Sequence, residues 1–164
     1  DTETESDVVK DTETEAAVAE AAVAATTEVK DSSALRAAML RQLGIIRMVA
    51  ETPTEQNREM LRKISSIVGE TNGELVDWAN VFEIIDNLYS GFYGKLHGKY
   101  GDALTLKEEQ IIVLMVAGFS TKEISVITDQ TTSTVYVRKT SIRKKLGVPE
   151  KEDIVRFLLD EFHR

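Results

Sequence analysis

The sequence predicts an all-α chain, and three observations carry that prediction. From position 33 onward, apolar residues recur at spacings of three and four rather than two, the period of a helix and not of a strand. Thr105 with Glu108, and Ser120 with Glu123, form the Ser/Thr-x-x-Glu signature of a helix start. Gly69, Gly118 and Gly147 fall where apolar runs stop, the place a glycine takes after a helix. The 164 residues include no Cys, which excludes a disulfide framework and a thiolate metal site.

Residues 1–31 hold ten acids and two lysines, and DTETE occurs at Asp1 and again at Asp11. With only Ala and Val as apolar content this stretch cannot bury a core, so it reads as an acidic low-complexity linker. A helix over about 13–25 is the alternative, and it would need a partner to cover Val18 and Val23. The chain begins with Asp rather than Met, so it reads as a fragment or processed form with an upstream sensor or repeat domain missing. No apolar run approaches the roughly 18 residues of a membrane span, and no signal-peptide pattern appears.

Residues 32–103 read as a helical segment. Leu35, Met39, Leu43, Ile46 and Val49 mark the stripe of a first helix, and Pro53 ends it. Thr54 caps a second helix that turns Met60, Leu61, Ile64, Ile67 and Val68 inward and stops near Gly69. Asn72-Gly73 signals a turn. A third, long helix is expected over 74–97. Its Trp78, Phe82, Ile85, Tyr89, Phe92 and Leu96 are spaced four, three, four, three, four. That spacing is a seam for a partner helix, read either as a buried face within the chain or as a dimer seam. The polar stretch 97–103 is short, so this helix is closely tied to the C-terminal part of the chain.

Residues 104–164 read as four helices: 107–117, 121–128, 132–146 and 150–162. In the first, Ile111, Ile112, Leu114 and Met115 point inward, with Gly118 as its stop; in the second, Ile124 and Ile127 do. Pro149 suits the first turn of the fourth. Leu114, Ile124, Val135, Ile142, Leu146 and Leu158 are the expected core.

The third of these helices differs from the rest of the chain. Residues 131–146 carry Arg138, Lys139, Arg143, Lys144 and Lys145 and no acid, whereas the chain as a whole has 20 Lys+Arg against 28 Asp+Glu. Residues 1–103 hold 10 bases and 19 acids, and residues 104–164 hold 10 and 9, so the acidity belongs to the N-terminal part. On a helical wheel Val135, Ile142 and Leu146 share one face, while Ser133, Val137, Thr140 and Lys144 lie opposite. One side packs on a core and the other projects short, polar and cationic groups, as a helix in the DNA major groove requires. By itself this is also the pattern of a solvated basic helix. A short helix, a tight turn and then the basic helix make the helix-turn-helix pattern.

Residues 104–148 resemble the four-helix DNA-binding domain of LuxR, FixJ and NarL type regulators. Leu104-Thr105-Leu106-Lys107-Glu108 with Ile111 matches the opening of that family pattern. Ala117-Gly118-Phe119-Ser120-Thr121-Lys122-Glu123-Ile124 matches its middle. Thr134-Val135, then Ile142-Arg143-Lys144-Lys145-Leu146-Gly147-Val148, match the opening and close of its recognition helix. The register holds without a gap. The chain departs from the pattern in the turn, where Thr128-Asp129-Gln130-Thr131 replaces Leu, a small residue, an aliphatic residue and Ser. Ser125 stands where Ala is usual, Tyr136 where Lys or Arg is usual, and Arg138 where His is usual. These departures resemble a divergent, Bacteroidetes-like branch. In such regulators a Trp- and Phe-bearing helix directly precedes the DNA-reading domain, often behind helical repeats and a membrane span.

The resemblance implies duplex DNA as partner, with base edges reached from Tyr136, Val137 and Thr140. The wheel independently turns Val137 and Thr140 outward. Lys122, Lys139, Arg143 and Lys144 are then phosphate contacts, and Thr131 and Ser133 add hydroxyls at the helix N-terminus. A weak homodimer, RNA polymerase as a further partner, and a cytoplasmic location (or the cytoplasmic part of a larger membrane-anchored protein) are further expectations. No cofactor, metal or catalytic residue is expected. His97 and His163 are far apart and read as solvated groups near helix ends, and no phosphate loop or nucleophile–base arrangement appears. Residues 1–103 lack the alternating strands of a receiver domain. The alternative function is a protein-interaction or dimerisation module built on a degenerate helix-turn-helix.

Overall fold

A computed structural model describes residues 32–69 and 71–163. The acidic linker expected over 1–31 lies outside the described residues. All regular structure among the described residues is helical. The compact unit that holds the core and positions the basic helix begins at Arg41.

Helix α1 (32–51) buries Leu43, Ile46, Val49 and Ala50. Thr54 starts α2 (Glu55–Val68) by accepting from the Asn57 amide at 3.1 Å. In α2, Leu61 and Ser65 face inward one turn apart, and the Ser65 hydroxyl donates to the Leu75 carbonyl at 3.0 Å. Ile67, expected inward, is 84% exposed. It stands six residues from Leu61, about 240° around the helix, and so falls on the outer face.

The expected long helix is broken in two. It begins at Trp78, because Asp77 accepts from the Ala79 amide and Leu75 and Val76 are buried ahead of it in a turn. α3 (Trp78–Leu88) stops at Ser90 and Gly91, both in the left-handed region at φ 54° and 75°. α4 (Phe92–Tyr100) then folds back. The Phe82 and Tyr93 rings stack with centroids 3.9 Å apart, whereas eleven residues of continuous helix would separate them by roughly 16 Å. Asp86 stabilises the reversal from across the joint, accepting from the Gly94 amide at 3.0 Å near the electropositive start of α4.

The seam is therefore not a dimer surface of one helix. Ile85, Phe92 and Leu96 are buried within the chain, and Phe92 meets Phe162 edge-on at 5.4 Å. Trp78 and Phe82 join Tyr93 and His97 in a ladder of rings along α3 and α4, and Tyr89 is the residue after α3. The broken helix keeps the heptad spacing because each half supplies its own inner face.

α5 (Leu106–Val116) is central. Residues 108–114 and Val116 are all buried, so it is enclosed on nearly every side rather than amphipathic, and Met115, expected inward, is only half-buried. The burial includes three polar side chains, Glu108, Glu109 and Gln110. Buried charge requires partners. Glu109 meets His97 Nδ1 at 2.9 Å, so His97 is paired rather than simply solvated. α4 is also tied to the C-terminal helix, where the Tyr100 hydroxyl lies 2.7 and 2.9 Å from the two Glu161 oxygens.

α6 (Thr121–Ile127), α7 (Thr132–Leu146) and α8 (Ile154–Phe162) complete the unit. The last starts at Ile154 instead of 150. Asp153 caps it by accepting from the Arg156 amide at 3.0 Å, and Pro149 belongs to the preceding turn. Leu114, Ile124, Val135, Ile142, Leu146 and Leu158 are all buried.

Candidate nucleic-acid interface

Both sequence-predicted capping boxes form. Thr105 and Ser120 each accept from the amide three residues on, and Glu108 and Glu123 accept in return from the cap amides. These reciprocal bonds satisfy donors that a helix start leaves open, and they fix where α5 and α6 begin. α5 ends with Gly118 at φ 88°, its amide bonded to Met115 O and the Phe119 amide to Leu114 O. α6 ends the same way with Asp129 at φ 52°, where the Asp129 and Gln130 amides bond Val126 O and Ser125 O. Both are Schellman closures. The second reverses the chain in three residues, and Thr131 then caps α7 by accepting from the Thr134 amide at 3.1 Å.

The inner face of α7 is anchored by Val135, Ile142 and Leu146, and an ion pair to a buried carboxylate ties its end. Lys145 Nζ donates to Glu108 Oε1 at 2.6 Å, and the Glu108 side chain is 2% exposed. Burial pushes the Glu108 carboxyl up, but the Lys145 ammonium, the Thr105 amide and the Ser141 hydroxyl together outweigh it and hold the group below its ordinary value. Lys145, the last cation of the basic run, is thus engaged by a buried carboxylate although the residue itself is exposed.

The outer face carries the predicted reading residues. Tyr136 is 60% and Val137 69% exposed, and Thr140 is exposed with its hydroxyl donating to Tyr136 O at 3.2 Å. That bond uses the proton and leaves oxygen lone pairs to accept. Lys122, Ser133 and Lys144 are exposed, and Thr131 is exposed while serving as cap. Lys139 donates to Thr121 Oγ1 at 2.7 Å and lies 5.7 Å from the Tyr136 ring centroid. Burial holds its ammonium below the usual lysine range, opposed by Asp153. An ammonium has three donors, so Lys139 can hold Thr121 and still meet an anion. Arg143 Nη1 donates to Pro149 O and Glu152 O at 3.0 and 2.6 Å, which ties α7 to the turn before α8.

Three contacts that shape this face were not singled out from the sequence. Arg138 Nε donates to Gln130 Oε1 at 2.5 Å. Lys107 Nζ donates to Thr128 O at 3.3 Å, at the electronegative end of α6. Arg47 of α1 donates to Ala117 O at 2.8 Å and lies over the Phe119 ring at 4.8 Å. The last joins residues 70 positions apart. Its only sequence signal is an arginine interspersed in an apolar stripe.

Residues 102–158 match the family of bacterial regulatory proteins described as luxR (GerE). The chain is similar to the transcriptional regulatory protein MctR of Rhizobium johnstonii, 35% identical over 75 residues, which is 43% of this chain and 35% of that protein. The matched stretch thus spans about a third of the relative's length. No solved structure matches the chain. The matched residues 102–158 include α6 and α7, which form a helix-turn-helix.

Proposed function

We propose that the chain binds duplex DNA sequence-specifically and regulates transcription, with α7 in the major groove. The observation that carries this is the division of α7. Its apolar face is buried, and its opposite face exposes Tyr136, Val137, Thr140 and Lys144. In this reading Tyr136, Val137 and Thr140 reach base edges, where Val137 and the Thr140 methyl suit a thymine methyl. Lys122, Lys139, Arg143 and Lys144 meet phosphates, with the Thr131 and Ser133 hydroxyls beside the helix N-terminus. Residues 104–164 are the reading part, and 32–103 are the helical segment before it.

The test is binding to genomic DNA fragments at two salt concentrations. Recovery of selected fragments whose affinity falls steeply with salt supports the reading. Absence of binding at low salt supports a protein-interaction module instead. Weak homodimerisation, which would give a near-palindromic operator, belongs to the same proposal. The half-buried Trp78, Phe82 and Tyr89 of the former seam, and α8, are its candidate surfaces. Light scattering across a concentration range, with and without DNA, decides it, and a strict monomer throughout rejects it. RNA polymerase as a further partner and action in the cytoplasm complete the proposal. No helix among the described residues is long and apolar enough to cross a membrane.

A further inference from the structure

The turn between α6 and α7 and the middle of α7 depart from the resembling family's pattern together, and the structure joins the departures. Gln130 lies immediately before the α7 cap, and Arg138 lies two helical turns into α7 on its half-buried edge. Arg138 Nε donates to Gln130 Oε1 at 2.5 Å. Arginine has donors only, so this contact fixes the amide orientation. It leaves Gln130 Nε2 buried with no hydrogen-bond partner. A buried amide donor without an acceptor destabilises the fold. The pair is therefore poorly explained as a stabilising device, since apolar residues of similar shape would hold the fold at least as well.

What the pair does fix is direction. Thr128, the other polar substitution in the turn, turns inward and donates to Ile124 O at 2.7 Å, while its carbonyl accepts from Lys107. The end of α6 is thus held independently. From that fixed end, a bond between Gln130 and a residue roughly 10 Å along α7 sets the angle at which α7 leaves the turn. Val137 and Lys139 flank Arg138 in sequence, so that angle sets where the outer face falls.

We propose that Gln130 and Arg138 act as one positioning unit that aims Tyr136, Val137 and Thr140 at the base edges. This rests on the DNA-binding reading of α7. The experiment compares affinity for a selected genomic fragment with affinity for an unrelated one, in the full chain, for the wild type and for Gln130→Leu, Arg138→Leu, the double variant and Gln130→Glu. Salt slope and Tm are recorded for each.

The ratio of affinities should fall about tenfold in each single Leu variant, and no further in the double variant, because partners acting as a unit are not additive. Gln130→Glu keeps the acceptor. Its added charge weakens binding to both fragments alike, so its ratio should stay within about threefold of the wild type. The salt slopes of the Leu variants should fall by well under one, since no phosphate contact is removed. The proposal is overturned if the ratio is unchanged in folded Leu variants, or if the single effects multiply in the double variant. It is also overturned if Arg138→Leu lowers the salt slope by about one, which would make Arg138 a phosphate contact. A ratio that falls only along with Tm, and that Gln130→Glu does not preserve, makes the pair merely structural and overturns it too. A wild type that does not discriminate between fragments fails the DNA-reading proposal itself, a distinct outcome.

Discussion

Two helix pairs in this molecule meet at a joint, and the joints are built differently. At α3–α4 the chain reverses through Ser90 and Gly91, rings stack over the corner, Phe82 on Tyr93, and one side-chain hydrogen bond, from the Gly94 amide to Asp86, crosses it. At α6–α7 it reverses through Asp129, and the corner is held by hydrogen bonds from Lys107, Thr128 and Arg138. Stacked rings resist separation but tolerate sliding, because dispersion and area burial have little directionality. Hydrogen bonds weaken steeply when bent. The joint with more hydrogen bonds is the one that leads into the exposed basic face. The ring-stacked joint completes the packing of α4, whose Phe92 and Leu96 are buried.

This contrast can be broken in several places. The largest expected effect is at the anchor of the aimed helix. Ile142 is fully buried, and Ile142→Ala should cost roughly 2–5 kcal/mol of unfolding free energy in urea. A cost under about 1 kcal/mol would mean that α7 is not held by its apolar face.

Next is the ion pair between Lys145 and the buried Glu108. Lys145→Ala leaves the Glu108 carboxylate without its cation and should cost about 2–3 kcal/mol at neutral pH. It should also change the acid response. Glu108 is held below its ordinary value. Its contribution is present above the unfolded value near 4.3 and is lost as pH falls through the lower folded value. Removing Lys145 raises the folded value, so the acid-unfolding midpoint should move to higher pH. An unmoved midpoint by circular dichroism contradicts this account of Glu108.

The smallest effect is the most diagnostic for the other joint. Gly91 has φ 75°, and a Cβ there would meet nothing within 4 Å. Gly91→Ala therefore carries only the left-handed backbone penalty, about 1 kcal/mol destabilising. In an unbroken helix the same change would stabilise by about the same amount. The sign alone separates the two architectures.

The two joints also differ in how readily the sequence reveals them. Around α6 and α7 the signals are local. Thr105 with Glu108 and Ser120 with Glu123 announce starts, Gly118 announces a stop, and α5 and α6 begin directly after these caps. At α3–α4 the signal misleads, since the apolar spacing runs through Gly91 without interruption. Only the glycine itself, and Asp86 acting as a cap from the preceding helix, distinguish two helices from one. Pro149 misled in the same way, because Asp153 is the better cap. At the candidate interface the outward placement of Val137 and Thr140 could be read from periodicity. The roles of Lys145, Arg143 and Gln130 could not, because their partners are set by tertiary approach.

On the proposed function, the outer face of α7 reads DNA with separate groups for phosphate and base. The most direct test measures affinity against salt concentration for the wild type, Lys144→Ala and Thr140→Ala, on a selected fragment and on single-base variants of it. Lys144→Ala should weaken binding to all fragments alike and lower the salt slope by about one. Thr140→Ala should leave the slope unchanged and alter the preference at one base step by roughly 1–3 kcal/mol. If both variants keep the wild-type slope and the wild-type preference, the outer face of α7 is not the reading surface and the account is wrong.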